Sequence, residues 1–497
     1  MKRLIPLFIS ITLPIILNGQ NQVDALRYTQ TFNSGTARSV GMGGAFGALG
    51  GDFSSISQNP AGLGVYRGSE FTFTPELYYN LSTSRYLNNT EEDYKYDFRF
   101  GNLGYVTSFD FKNEKGLISG SFGIGYNKLN HYGENIFISG INRNSSLADD
   151  FTWTANDRGP ADLQDLEPFS EGLFYDGGII ELDGEGFYGI TPAMLDTLGN
   201  VNIEQKNSIY RTGIMNDWVV AFALNFNHKF YFGASLDIIP VEFTERSAFK
   251  ESSALNGSEY YTYNESLTAS GTGFGAKIGF IVKPVTQLRL GLAYHSPIAY
   301  RISEVYDADL YSNIDGFEDY YKPVDAEGYL IDYGSSDYQV MTPARGIASL
   351  GLILGKFAIL SSDLEYIRYS RVRLNDASDG YDFDIENDDI RRIYKDNFNL
   401  KTGLEIRAGM VYLRGGFGYY GSPFKDSEAN ANAYKLSYNG GIGLRSEKFF
   451  IDFAFAYLDG RDEMNILYYS EIIDPPYETA LINTDKLRTM MTFGFRF

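Results

Sequence analysis

No cysteine occurs in this chain of 497 residues, which excludes disulfide bonds, thiolate metal sites and a lipid-modified N-terminal cysteine. Histidine is scarce, with 3 residues, and their spread along the chain argues against a shared metal site. Basic residues are outnumbered, with 42 Lys and Arg against 63 Asp and Glu. The net charge of −21 argues against nucleic acid as a partner, because phosphate binding needs a basic surface.

Long apolar runs are absent except for one short stretch at the N-terminus. Lys2 and Arg3 precede an apolar segment at residues 4–17, which two prolines interrupt. This segment is too short for a membrane helix and has the layout of a secretory signal. We therefore predict a signal peptide at residues 1–20, and any membrane crossing must be made by strands.

The composition favours strands and tight turns, because only 15 prolines accompany 53 Gly, 39 Tyr and 37 Phe. Candidate strands are 69–80, 99–111, 116–129, 215–227, 229–242, 270–282, 287–303, 342–354, 356–369, 392–408, 410–420, 433–446, 448–458 and 485–497. Short connections between them alternate strictly with long ones. Bacterial outer-membrane barrels show this pattern, with short periplasmic turns and long outer loops.

Side-chain alternation along these strands separates an apolar face from a polar one. In 218–227, Trp218, Phe222 and Phe226 share one face, whereas Asn225 and Asn227 share the other. The chain also ends in a strand with Phe493, Phe495 and Phe497 on one face, as outer-membrane barrels do. We predict an all-β fold, a fourteen-stranded antiparallel transmembrane β-barrel over residues 69–497. The alternative is a soluble array of β-sandwiches, which would explain the alternation but not the signal peptide, the unequal loops and the terminal Phe together.

Residues 21–68 differ from the barrel, being rich in Gly, Ala and Ser, and we predict that they form an N-terminal hatch that plugs the lumen. Within them Asn59, Pro60, Ala61 and Gly62 follow a run of small residues. Further islands are GLAYHSP at 291–297, TPARGIASLGLIL at 342–354, DLEYIRYS at 363–370 and LRGGFGYYGSP at 413–423. Together these motifs resemble the long-chain fatty acid and aromatic hydrocarbon transporters of the outer membrane, the FadL/TodX type.

The resemblance implies a fourteen-stranded barrel with a periplasmic hatch that carries the asparagine-proline-alanine motif. It also implies passive uptake of hydrophobic small molecules across the outer membrane of a Gram-negative bacterium. The opening TARSVGMGGAFGALGGD resembles the Bacteroidetes branch of this family, which includes members called hemin receptors and a relative that serves a secretion system. A haem-binding receptor and a barrel component of a secretion apparatus therefore stay open as alternatives.

No catalytic motif supports an enzyme, and we expect no catalytic residue, metal or cofactor. The pattern from Ser247 to Lys250 fits S-x-x-K but lacks the partner motifs of that chemistry. Of the histidines, only His295 is predicted to face the lumen. His295 or a tyrosine is a candidate axial ligand for haem iron, and a hydrogen-bonded structural role for His295 is the alternative.

The predicted lumen face is charged, and charges on membrane-spanning strands must face water or one another. Its members are Arg289, Arg345, Asp363, Glu365, Lys401, Glu405, Arg407, Arg414, Lys435, Arg445, Asp452 and Arg496. We expect an ion-pair network that fixes the hatch, with one or two basic groups free to meet a ligand carboxylate. The candidates for ligand or hatch contact are Arg289, His295, Arg345, Lys401, Arg407 and Arg414.

The predicted outer loops are acidic, and the segment 304–341 holds ten Asp or Glu against one Lys. A solvated surface explains this, and bound divalent cations that bridge the phosphates of lipopolysaccharide are the alternative. The expected partners are a hydrophobic small-molecule ligand, outer-membrane lipid and lipopolysaccharide.

Overall fold

The computed structural model describes residues 21–157, 163–184, 186–189, 202–253, 259–314, 316–325, 328–377, 380–471, 473 and 475–497, so the predicted signal peptide lies outside the described residues. The helices are α1 (Gln22–Arg27), α2 (Ala37–Gly41), α3 (Leu147–Asp157), α4 (Glu171–Asp176) and α5 (Asp384–Ile393), with 3-10 turns at Phe53–Ser57, Pro60–Val65, Leu163–Asp165 and Tyr369–Arg371. The strands are β1 (Glu70–Tyr86), β2 (Asn89–Asp110), β3 (Leu117–His131), β4 (Glu134–Asn142), β5 (Ile180–Leu182), β6 (Phe187–Gly189), β7 (Ile203–Phe226), β8 (Phe230–Ser253), β9 (Tyr260–Val285), β10 (Leu288–His295), β11 (Ala299–Asn313), β12 (Asp319–Tyr321), β13 (Gly334–Met341), β14 (Arg345–Leu354), β15 (Ala358–Arg368), β16 (Arg373–Asp376), β17 (Asp396–Ala408), β18 (Val411–Tyr420), β19 (Lys435–Arg445), β20 (Phe449–Asp459), β21 (Glu463–Tyr469) and β22 (Tyr477–Arg496).

The strands form a closed antiparallel barrel, because β1 pairs with β2 on one side and with β22 on the other. Several wall strands consist of two consecutive segments: β3 with β4, β10 with β11, β13 with β14, β15 with β16, and β20 with β21. When the short strands β5, β6 and β12 are left out, the described chain builds a wall of 14 strands, which confirms the predicted fold class. Since the wall closes on itself, its strands satisfy one another's backbone hydrogen bonds.

Tight turns join the strands at the end of the barrel that we predict to be periplasmic. Between β7 and β8, Asn227 and His228 adopt positive φ angles of 53° and 56°. Gly355 and Gly409, in the turns that follow β14 and β17, have φ angles of 60° and 63°, where glycine has no side chain to clash. At the same end, Ser69 and Phe497 exchange two backbone hydrogen bonds of 3.0 and 3.1 Å, so the last residue closes the barrel seam.

Large apolar side chains cover the outside of the wall. Leu236 is 70% exposed, Leu292 60% and Phe398 53%, and each stands on a strand whose neighbouring residues point inward. An exposed apolar surface that runs around a closed barrel is suited to lipid rather than to water.

No helix among the described residues has the length and hydropathy needed to cross a membrane.

The outer parts of several strands extend beyond their predicted ends. The predicted long connection 81–98 is instead a hairpin, in which β1 and β2 pair as far as Tyr86 and Asn89 around a two-residue turn. The predicted loop 130–214 contains β4, α3 and α4, and β7 already begins at Ile203. The predicted strand ends differ from the observed ones because the sequence of these acid-rich stretches is typical of a solvated loop. In the structure, they pair with neighbouring strands beyond the apolar belt.

A cap made of α3, α4 and the outer parts of β4, β8, β9, β11 and β22 covers the end of the barrel opposite the short turns. Its core includes Phe151, Phe174 and Tyr263, with the two phenylalanine ring centroids 4.1 Å apart. Glu251 is buried there and accepts hydrogen bonds from the Tyr261 hydroxyl at 2.6 Å and from a cap backbone amide at 2.8 Å. Burial raises the pKa of Glu251 and raises the pKa of Asp150, on α3, to about 7.

Candidate functional site

Residues 21–68, which we call the hatch, lie inside the barrel and bury their middle part almost completely. Phe46, Phe53 and Ile56 are each at most 1% exposed. The hatch has only short helical elements, and these have side-chain caps: Asn21 and Asp24 form a capping box on α1, and Thr36 accepts a hydrogen bond from the Ser39 amide at the start of α2. No strand of the wall includes a hatch residue.

The sequence motif Asn59, Pro60, Ala61 and Gly62 forms the start of the 3-10 turn Pro60–Val65, and all of these side chains are buried. Asn59 Oδ1 accepts a hydrogen bond of 3.1 Å from the Ala61 amide, which caps the turn. Asn59 Nδ2 donates to the carbonyl of Gly47 in the hatch at 2.6 Å and to that of Phe280 on β9 at 3.1 Å. One side chain thus caps its turn, ties two parts of the hatch together and anchors them to the wall.

Two wall glycines allow this close approach. A Cβ atom at Gly279 would lie 1.9 Å from Asn59 Oδ1, and one at Gly233 would lie 2.4 Å from the Pro60 carbonyl oxygen. Any side chain at either position would collide with the hatch. The motif therefore fits against a smooth patch of wall that only glycine provides.

The strongest polar link between hatch and wall joins Arg38, on α2, to Glu405 on β17. Arg38 Nε and Nη2 donate to the two carboxylate oxygens of Glu405 at 2.8 and 3.2 Å. Arg414 also donates to Glu405 at 2.9 Å and pairs with Asp452 at 2.8 Å, while Arg407 lies 2.9 Å from Glu405. Bidentate pairing of this kind is both strong and geometrically specific.

Three of the six residues predicted to contact ligand or hatch do contact the hatch directly. Arg345 donates to the Thr29 carbonyl and the Thr31 hydroxyl, and it also pairs with Glu365 at 3.2 Å. Arg289 donates to the Leu49 carbonyl. His295 Nε2 lies 2.9 Å from the carbonyl oxygen of Gln58, so this nitrogen carries the proton and donates.

The other three predicted residues contact carboxylates on the wall rather than the hatch. Lys401 lies 3.5 Å from Glu365, and Arg407 and Arg414 share Glu405 as described above. The polar link of Arg407 and Arg414 to the hatch therefore runs through the carboxylate that binds Arg38.

Sequence reasoning missed Arg38 and the pair formed by Lys128 and Glu76. Lys128 Nζ is 2.6 Å from a Glu76 carboxylate oxygen, and both side chains are at most 1% exposed. Arg38 had a signal that could have been used, because residues 21–68 contain only three basic side chains, of which it alone lies within the small-residue run. Lys128 lies at the predicted end of its strand, where alternation alone gave no reason to single it out.

Two small cavities lie between the hatch and the wall, and Phe32 and Asn33 line both. The first, of about 80 Å³, extends to His295, Arg345 and Lys401. The second, of about 70 Å³, is lined by Lys128, His131, Lys486 and Arg488 among others. Among the described residues, the Asn33 side-chain amide beside them has no hydrogen-bond partner.

Among the described residues, no group of three or more His, Cys, Asp and Glu side chains is arranged to hold a metal ion.

No protein family profile matches the chain, and no curated protein sequence matches it. Solved structures do match over nearly the whole length. A FadL homologue from Pseudomonas aeruginosa aligns with 12% identity and a TM-score of 0.58, covering 94% of this chain and 99% of that one. The toluene transporter TodX of P. putida aligns with 12% identity and a TM-score of 0.52, covering 93% and 99%. The toluene transporter TbuX of Ralstonia pickettii aligns with 13% identity and a TM-score of 0.50, covering 93% and 98%. The chain thus shares the barrel fold of these transporters.

Proposed function

We propose that this protein is an outer-membrane channel for passive uptake of hydrophobic small molecules, such as long-chain fatty acids or aromatic hydrocarbons. The observation that carries the proposal is the hatch: a separate segment held in the lumen by side-chain contacts, inside a barrel with a lipid-compatible surface. The shared fold with transporters of toluene supports it. The proposal needs no catalytic step and no cofactor.

Each of the three predicted segments of the chain has its own role in this proposal. Residues 1–20 would direct export, residues 21–68 would act as the gate, and residues 69–497 would form the path across the outer membrane of a Gram-negative bacterium. The ring of exposed apolar side chains and the outer cap support this orientation. The resemblance to the Bacteroidetes branch stays a prediction.

The size of the cavities indicates a closed state. Cavities of about 80 and 70 Å³ are several-fold smaller than the roughly 300 Å³ at the lower end of ordinary ligand sites. A fatty acid or toluene can therefore pass only if the hatch moves. The ligand would then move down its own concentration gradient, so that uptake needs no energy source beyond the opening and closing of the hatch.

The second cavity supports a ligand that carries a carboxylate. Lys128, Lys486 and Arg488 line it, and the unpaired amide of Asn33 faces the same region. Arg488 donates to the Asn33 carbonyl oxygen at 2.6 Å, so withdrawal of the hatch would free this guanidinium for a ligand carboxylate. A function as haem receptor gains no support from His295, because its Nε2 is occupied by the Gln58 carbonyl.

A reversible cross-link between hatch and wall tests the proposal. The side chain of Ala48 in the hatch faces Gly351 on β14, where a Cβ atom would lie 3.6 Å from the Ala48 Cβ. This separation suits a disulfide, and the chain has no cysteine of its own. We expect the double variant Ala48→Cys, Gly351→Cys to block uptake of a radiolabelled fatty acid or toluene when oxidised and to restore it when reduced.

The two single cysteine variants serve as matched controls, since they carry the same changes without the cross-link. The assay uses proteoliposomes that contain the purified full-length barrel, and empty liposomes give the background permeation. Equal uptake by the oxidised and reduced double variant would show that the hatch is not the gate.

A further inference from the structure

Four arginines cluster on the outer surface of neighbouring wall strands, which is unexpected in a chain of net charge −21. Arg301 lies on β11, Arg368 ends β15, Arg371 lies in the 3-10 turn that follows, and Arg373 begins β16. We call these residues the rim arginine cluster. Strand register places them together, because Arg301 pairs with Gln339 of β13 and Arg373 pairs with Met341 of the same strand.

The height of the cluster coincides with the outer edge of the apolar belt. Along β15, the outward positions run through Leu360 and Leu364 to Tyr366 and then reach Arg368. The stretch from the short turn to Tyr366 has about ten residues, the number that a tilted strand needs to cross the hydrocarbon core. Phe398 pairs with Tyr366 on the neighbouring strand, so aromatic side chains mark the boundary directly below the arginines.

The charge of the cluster is only partly neutralised by the described residues. Arg368 pairs with Asp396 at 3.3 Å, and Arg301 lies 3.6 Å from Asp337. Arg373 donates to the carbonyl oxygens of Ser370 and Val372 at 3.0 and 2.6 Å, and these accept without neutralising it. Arg371 is exposed, and the structure gives it no ion pair within the described part of the chain. Arg371 and Arg373 therefore keep positive charges that no ion pair neutralises among the described residues, and these like charges repel one another.

Around β1, β20 and β21, the rim arginines are matched one to one. Arg85 pairs with Asp462, and Arg461 pairs with Asp459 at 3.2 Å, both on the wall around β1, β20 and β21. The excess of positive charge near β11 and β16 is therefore not shared by this part of the rim.

We propose that the rim arginine cluster binds the phosphate groups of a lipopolysaccharide molecule in the outer leaflet. Arg301 and Arg373 lie on strands two spacings apart, about 10 Å, so one glycolipid with two phosphates can contact both. Guanidinium groups form bidentate hydrogen bonds with phosphate. The exposed apolar wall below, including Leu364, accommodates the acyl chains. A lipid is favoured over free phosphate because the cluster lies at the boundary of the belt. The inference rests on the proposed outer-membrane location and is independent of transport.

Binding of defined lipids to the purified full-length protein in detergent tests the inference. The probe is diphosphoryl lipid A, measured by native mass spectrometry and by titration against wild type and the triple variant Arg301→Gln, Arg371→Gln, Arg373→Gln. Each surface arginine contributes about fivefold to binding of an anionic lipid face, so the triple variant should lose about 100-fold in affinity. Raised salt should weaken binding to the wild type, because exposed charges are screened.

The matched control is Arg85→Gln, Arg461→Gln, which removes rim arginines that already have partners and should leave the affinity unchanged. Heat-modifiable gel mobility reports whether each barrel is folded. Should the triple variant fail to fold, Arg371→Gln alone keeps the test sharp, since this exposed side chain has no ion pair to lose and should still cost about fivefold.

Three results would overturn the inference. They are unchanged affinity in the folded triple variant, equal binding of dephosphorylated lipid A, and complete displacement of lipid A by inorganic phosphate at equal concentration. The last result would identify a free-phosphate site. Uptake by the same variants is measured separately, so a failure here does not bear on the transport proposal.

Discussion

Replacing Arg38 by alanine removes the bidentate link between the hatch and β17 while leaving the barrel wall untouched. Arg38 is 9% exposed at its side chain and Glu405 is fully buried. After the substitution, Glu405 keeps Arg407 and Arg414 as partners, so no buried charge is left unpaired. The substitution therefore lowers the free energy that holds the hatch in place and does not destabilise the wall, because the wall retains its own ion pairs and its closed hydrogen-bond ladder.

The magnitude follows from the two hydrogen bonds between hatch and wall that are lost. Hydrogen bonds to charged groups contribute about 1.5–3 kcal/mol each, net of their exchange with water. We expect the bound position of the hatch to lose about 3–6 kcal/mol relative to a detached one. This corresponds to an increase of about 160- to 25,000-fold in the ratio of detached to bound hatch.

Planar-bilayer conductance in about 0.1 M KCl measures this ratio, because the polar lumen passes small ions once the hatch leaves. The variant Arg38→Lys keeps the charge but not the fork of donors and should lie between alanine and wild type. The control is Arg445→Ala, which removes an equally buried arginine that pairs with Asp452 on the wall. If Arg38→Ala and Arg445→Ala conduct alike while both barrels are folded, the reasoning about the Arg38 link is wrong.

Three further predictions follow from single sites. Gly279→Ala should raise conductance in the same bilayer recordings, because its Cβ would collide with Asn59 Oδ1. The control Gly346→Ala should not, because no atom lies within 4 Å of the Cβ that it adds. Ala61→Cys should resist a bulky thiol reagent added to intact cells, since Ala61 is 0% exposed, and rapid labelling would contradict its placement. Burial raises the pKa of Asp150 from 3.8 to about 7, so the cap should lose stability as pH rises through this interval. Asp150→Asn should remove that part of the pH dependence, which proteinase K digestion of the cap at pH 5 and pH 8 would reveal.

The barrel was predictable from sequence because alternation repeats in every wall strand. The predicted strands 410–420 and 448–458 agree with β18 and β20 within about a residue. The predicted single strand 287–303 is wrong in detail, because Pro297 interrupts it between β10 and β11. Proline removes a backbone donor, and this signal was visible in the sequence but was outweighed by the strong alternation on both sides.

The site was predictable only in part, since alternation says which way a side chain points but not what it meets. It placed Glu405 and Arg414 on the lumen face, yet their partner Arg38 is 367 residues from Glu405 in the chain. The hatch has no regular period, so its path across the lumen, and with it every contact of Arg38, depends on the folded backbone. The outer cap was missed for a related reason, because its core joins α3 and α4 to strands far away in sequence.

The interface between hatch and wall combines polar contacts with small apolar clusters. When a contact such as Arg345 with the Thr29 carbonyl breaks, water can replace both partners, and a hydrogen bond to a charged group contributes only about 1.5–3 kcal/mol net. The apolar clusters, such as the one that contains Phe53 of the hatch and Val219 of the wall, lose about 25 cal/mol for every Å² that opening exposes. The backbone approach at Gly279 adds fit without adding strand pairing that would have to be broken. Opening therefore has to overcome side-chain contacts of both kinds but no pairing between hatch and wall strands, and this favours a gate over a permanent plug.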